Sequence, residues 1–232
     1  MALPKLETPT YELTLPSNNK KIKFRPFFVK EYKVLMTLKE ADSAEIYRVI
    51  KDLVDVCTFN QLDIEDLANF DIEYLFINLR AKSVGETLDL IINCECGNKI
   101  DYSADLLDAK VVKNKKHNNK IQLTNSIGIE MRYPTVSDVV KAYESNNQDD
   151  IIKLAVNCIK GVYNNDEGYW HGKDQKFDEM LEFVYGFTKE QFDMIEEFFV
   201  TMPKLELILE ADCDKCGKHN KVKLEGLQSF FV

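Results

Sequence analysis

At 232 residues the chain is long enough to bury a substantial core, in one domain or two. Its 30 basic and 39 acidic residues leave a net charge of −9, which argues against an extended phosphate-binding surface. No stretch reaches the length of a membrane span, the polar start "MALPKLETPTYELTLPS" lacks the apolar run of a secretory signal, and six cysteines are too few for a disulfide scaffold. These features predict a soluble protein that stays in the compartment where it is made.

In "YELTLPSNNKKIKFRPF", Leu13 and Leu15 alternate with polar neighbours, the chain turns at Ser17–Asn19, and alternation resumes through Ile22 and Phe24. This predicts a hairpin closed by Pro26, which cannot continue a strand ladder. In "SAEIYRVIKDLVDVC", Ser43 is a candidate helix cap, and Ile50, Leu53, Val54 and Cys57 fall on one helical face. A second helical stretch, "NFDIEYLFINL", carries the pair Phe70–Asp71. "LDLIINCECGNKI" then runs through Leu88 and Leu90 into a cysteine turn.

The same series recurs after the middle of the chain. "KIQLTNSIGIEMRYPT" predicts a hairpin with Ile121, Leu123, a turn near Asn125–Gly128, then Ile129, Met131 and a closing Pro134. "DDIIKLAVNC" puts Ile151, Leu154, Ala155 and Cys158 on one helical face. "QFDMIEEFFVTM" repeats the Phe-Asp pair at Phe192–Asp193, with a capping box at Thr188 and Gln191. "LELILEADCDKCGKHNKV" sets Leu207 and Leu209 before a second cysteine turn. Five correspondences in one order predict an α+β fold built by tandem duplication. Each copy would hold a hairpin, a helix cluster and a strand–cysteine turn–strand unit. The expected boundaries are residues 1–109 and 121–232, joined by the segment Lys110–Lys120, whose five lysines read as a solvated linker.

The second copy carries an insertion, "GVYNNDEGYWHGKDQ", read as a loop. Its Tyr163, Tyr169 and Trp170 either fold back on the core or anchor a partner, where Tyr and Trp are enriched. They are the candidate partner-binding residues.

The cysteines carry the sharpest chemical signal. A Cys-x-x-Cys-Gly turn aims two thiolates at one point, and its glycine permits a positive φ. "CDKCG" has that form, and "CECG" is one residue shorter. Cys94, Cys96, Cys213 and Cys216 would together complete a closed, structural zinc site, with His219 as the substitute ligand should Cys94 or Cys96 fall short. Unliganded thiols, a disulfide and a redox motif are the alternatives. A redox motif would start a helix, whereas both turns lie between predicted strands. Cys57 and Cys158 read as core residues on apolar faces. His117, His171 and His219 sit in polar stretches without a nucleophile signature, so no catalytic constellation appears and the expectation is a protein that is not an enzyme.

The strings "LPKLETPTYELTLPSNNKKIKFRPF", "FDIEYLFINLRAKSVGE", the cysteine turn and the closing "VKLEGLQSFF" resemble the baseplate hub assembly proteins of T-even-type contractile-tailed bacteriophages. The resemblance covers essentially the whole chain. It implies a protein made in the infected host cytoplasm that helps build the central hub of the tail baseplate, as a chaperone for hub or tape-measure components. A structural subunit retained in the virion baseplate is the alternative. A zinc-ribbon nucleic-acid binder is a third reading, disfavoured by the acidic balance.

Overall fold

The computed structural model describes residues 6–38, 41–144 and 149–230. In chain order, the hairpin strands β1 (Tyr11–Thr14) and β2 (Lys21–Phe24) precede α1 (Val29–Thr37), α2 (Ser43–Cys57) and α3 (Asn69–Ser83). A second hairpin, β3 (Thr87–Asn93) and β4 (Lys99–Asp105), leads to the short strand β5 (Lys110–Val112). Then come β6 (Lys120–Gln122), β7 (Ile127–Met131), α4 (Val136–Glu144) and α5 (Asp149–Cys158). β8 (Ile159–Asn164) and β9 (Gly168–His171) precede α6 (Phe177–Tyr185) and α7 (Lys189–Thr201). β10 (Lys204–Asp212) and β11 (His219–Glu225) end the series. The fold class is α+β, with small antiparallel sheets.

Two compact units divide the chain, and they differ from the boundaries expected at 110–120. One comprises residues 1–112 and 204–232, the other 113–203. The C-terminal hairpin joins the first unit because β10 pairs with β5, Lys110 opposite Glu206 and Val111 opposite Leu205. The lysine-rich segment is therefore not a plain solvated linker: its first residues form β5 and its last begins β6. His117, between them, packs on Tyr133 and Phe198 with ring centroids 5.6 and 5.0 Å away.

In the first unit α3 is the central element. Phe70, Ile72, Leu75, Phe76, Ile77 and Leu79 are all buried, so apolar residues cover nearly every side of the helix rather than a single stripe. α2 presents Ile50, Leu53, Val54 and Cys57 to the core as its periodicity predicts. Its cap is Asp42 rather than Ser43; the Asp42 carboxylate accepts the Glu45 amide at 2.8 Å. The segment closing the chain is anchored by Leu227 and Phe230, both buried.

In the second unit the sheet order is β6-β7-β8-β9. Ile129, Met131, Ala155, Val156, Ile195 and Phe198 belong to its core. On α5 the expected face is buried except at its first position: Ala155 and Cys158 are buried and Leu154 packs on the core, but Ile151 is 53% exposed, and Ile152 and Val156 pack inward as well. The inward face is thus wider than the predicted stripe rather than a different one. The capping box at Thr188 and Gln191 forms as predicted.

The order hairpin, helices, hairpin runs twice, with β8–β9 as the extra piece of the second pass. One construction recurs at both first hairpins. The Arg25 amide donates to the Cys57 carbonyl, and the Arg132 amide to the Cys158 carbonyl. The Arg25 guanidinium then pairs with Glu31 at 3.2 Å and Arg132 with Asp138 at 2.7 Å. Both acids also accept an amide ahead of a helix, Phe28 in one case and Thr135 in the other.

Candidate metal centre

Each cysteine turn caps a regular hairpin. β3 and β4 pair down to Asn93 opposite Lys99, and β10 and β11 to Asp212 opposite His219. Residues 94–98 and 213–218 close the two ends. In both turns the first cysteine amide donates to the last residue's carbonyl, Cys94 to Asn98 and Cys213 to Lys218, at 2.9 Å each. The glycine amide donates back to the first cysteine's carbonyl, at 2.9 Å from Gly97 and 2.7 Å from Gly217. Gly97 and Gly217 take φ of +82° and +72°, which a side chain would strain.

The folding of these two hairpins within one unit brings the four sulfurs together. The Sγ atoms of Cys94, Cys96, Cys213 and Cys216 all lie within 4.8 Å of one another. Cys94 Sγ is 3.7 Å from Cys216 Sγ, and Cys96 Sγ is 3.7 Å from Cys213 Sγ. These are free thiols, well beyond the ~2.05 Å of a disulfide. The missing residue in "CECG" does not keep Cys96 from the cluster. His219 is not needed and is engaged elsewhere, its Nδ1 2.8 Å from an Asp212 carboxylate oxygen.

The first cysteine of each turn is buried and the second exposed. Burial opposes charge on Cys213, yet the amides of Cys216 and Lys215 and the Asn98 side chain outweigh it and bring its thiol down to about 6. The Lys218 amide favours a Cys216 thiolate, but hydrogen bonds among the neighbouring thiols prevail and push it up to about 12. Cys213 therefore ionises before Cys216. The Asn98 amide reaches its sulfur at 3.6 Å, and the Lys218–Glu95 ion pair at 2.5 Å spans the two turns. Four converging sulfurs with amide donors form a set that a soft divalent cation would deprotonate and bind.

The aromatic residues of the insertion lie in β8 and β9 rather than in a loop. Tyr163 donates from its hydroxyl to Gln122, and Tyr169 to Glu130, each at 3.1 Å. Their rings lie against glycines: a Cβ on Gly128 would sit 2.3 Å from the Tyr163 ring, and one on Gly161 2.3 Å from the Tyr169 hydroxyl. Trp170 pairs across the strands with Val162 on the opposite face and is 39% exposed.

Two polar features escaped sequence reasoning. One is the repeated arginine–acid pair, whose only signal is an arginine one or two residues ahead of a proline with an acid six positions on. The other is Glu73, buried on α3, which accepts the Tyr47 hydroxyl and the Asn69 amide at 2.8 Å each. No local pattern announces it.

An α+β protein whose four-thiol cluster draws two distant hairpins together is the class that fold and site define. The family model described as T4 bacteriophage base plate protein matches residues 8–232, and the chain belongs to that family. It is 27% identical to the baseplate hub assembly protein gp26 of Enterobacteria phage T4, over 95% of this chain and 97% of the relative. No solved structure matches the chain. Among the described residues, no helix is long and apolar enough to cross a membrane.

Proposed function

We propose that the chain is a non-enzymatic assembly factor for the central hub of the phage tail baseplate. The observation that carries this reading is the near full-length match to a relative named for hub assembly. Its clients on this reading are hub or tape-measure components, met in the host cytoplasm before the tail is complete. The net charge of −9 favours a protein client over nucleic acid. Mass spectrometry of purified virions tests the role: an assembly factor that leaves is absent from them. Its presence in fixed stoichiometry with hub proteins makes the chain a structural subunit instead.

The cysteine cluster, in this proposal, holds one structural zinc. The 3.7 Å sulfur separations support it. Tetrahedral geometry with Zn–S bonds of about 2.3 Å places ligand sulfurs about 3.8 Å apart. Four thiolates leave no coordination position for a substrate, so the role is structural. Protein purified without chelator should carry about one zinc per chain by elemental analysis. A metal-free protein would remove the proposal.

A further inference from the structure

Two helices expose apolar side chains to solvent, and the charges beside them have opposite sign. On α1, Val29, Tyr32 and Met36 follow one another at i, i+3 and i+7, a spacing that places them on one face. Val29 is 72% exposed and the other two are also exposed. Lys30 and Lys33 flank this face and are exposed as well. Lys30 lies 3.4 Å from the Glu31 carboxylate, but Arg25 already pairs with that acid, so the flank keeps an excess of positive charge. α1 instead buries Glu31, and the next residue beyond the helix, Leu38, is buried too.

On α7 the corresponding stripe is acidic. Glu190, Met194 and Glu197 fall at i, i+4 and i+7, with Val200 beside them 71% exposed. Lys189 pairs with Asp193 and Glu196 on the neighbouring side. Glu190 and Glu197 therefore set the charge of the stripe itself.

We propose that α1 of one copy docks on α7 of a second copy. Lys30 and Lys33 would face Glu190 and Glu197, while Val29, Tyr32 and Met36 cover Met194 and Val200. Exposed apolar stripes gain by being covered, and the charges decide which cover fits. Each copy carries both faces, so the contact is either exchanged reciprocally within a pair or repeated from copy to copy. The helices have 9 and 13 residues, about 14 and 20 Å long. That is short of a standard interface, so the association is weak and weakens further with salt. The inference is independent of the zinc and assembly readings.

Sedimentation velocity of the full chain, over a concentration series at low and physiological salt, tests it. The wild-type chain should self-associate with rising concentration. K30E/K33E and E190K/E197K should each weaken this by about tenfold or more, since attraction at two sites becomes repulsion. Mixed in equal amounts, the two variants should recover wild-type association, because each supplies the sign the other has lost. All four positions are exposed, so the changes should leave the fold intact. A wild-type chain that stays monomeric at every concentration overturns the proposal. So does undiminished association of either variant alone, or a mixture that fails to recover.

Discussion

Glu73 is enclosed by donors: the Tyr47 hydroxyl, the Asn69 amide and the Leu227 backbone N–H. All three favour its charged form, yet burial outweighs them and raises the carboxyl from 4.5 to about 7. The folded state thus holds a proton that the unfolded chain gives up. Its contribution is fully present below about pH 4.5, falls as pH rises toward 7, and is lost above that. The span corresponds to about 3 kcal/mol. Glu73→Gln keeps an acceptor for the same donors without the charge. In urea denaturation between pH 4.5 and 8, the variant should gain on wild type as pH rises and be the more stable at pH 8. A constant difference across that window would contradict this assignment. His117, lowered by burial, acts with opposite sign in the acidic part of the window, and comparing the two proteins cancels it. Glu31 and Asp138 behave differently: burial works to raise them, but their arginines and amides win and lower both, so their contribution fails only at acid pH. At this scale the cysteines were legible because four thiols in two turns have few other uses. Glu73 was not, because its partners come from α2, α3 and the chain's end.

The strands and helices were legible wherever period alone decides. Leu13 does pair with Ile22, and Ile121 with Ile129. β8 and β9 were missed because glycines and aromatics in "GVYNNDEGYWHG" read as loop composition. Their logic is cross-strand: Gly128 stands opposite Tyr163, and Tyr169 lies across Gly161. A glycine that weakens a strand by itself becomes the floor on which a ring lies. The two floors differ in tolerance. A Cβ at Gly161 meets the outer end of the Tyr169 ring, which can swing aside and give up Glu130. A Cβ at Gly128 also meets the Ile121 backbone carbonyl at 2.8 Å, and the sheet would have to shift. Gly128→Ala should therefore cost about 2 kcal/mol, and Gly161→Ala clearly less. Chemical denaturation of the two variants checks this. Equal losses would mean that the carbonyl contact does not matter. The same geometry gives Tyr163 and Tyr169 a structural task apart from any partner.

At the scale of the whole molecule, the shared cysteine site implied that the two halves meet, but no local pattern showed that the last strands belong to the first unit. Residues 204–232 belong with 1–112, through β10 against β5 and through the sulfur cluster joining Cys94 and Cys96 to Cys213 and Cys216. Sequence similarity between the halves pointed to two copies divided at residues 110–120, but the second cysteine hairpin belongs to the first unit. Residues 113–203 form a continuous unit with its own core. A structural zinc contributes on the order of 10 kcal/mol of apparent binding energy, while whole domains are stable by about 5–15 kcal/mol. If the cluster holds the proposed zinc, losing it should therefore take most of the stability of the first unit and little of the second. Cys213→Ser removes the thiol that the turn amides lower and leaves three of the four sulfurs. In hydrogen exchange, amides of β3, β4, β10 and β11 should lose protection by orders of magnitude, while those of β7, β8 and α5 keep theirs. Wild type treated with a strong chelator should give the same map. Protection lost equally in both units would show that they fold as one. Protection unchanged in the two cysteine hairpins would mean that β10–β5 pairing and the buried Leu205, Leu207 and Leu227 hold the returning segment without metal.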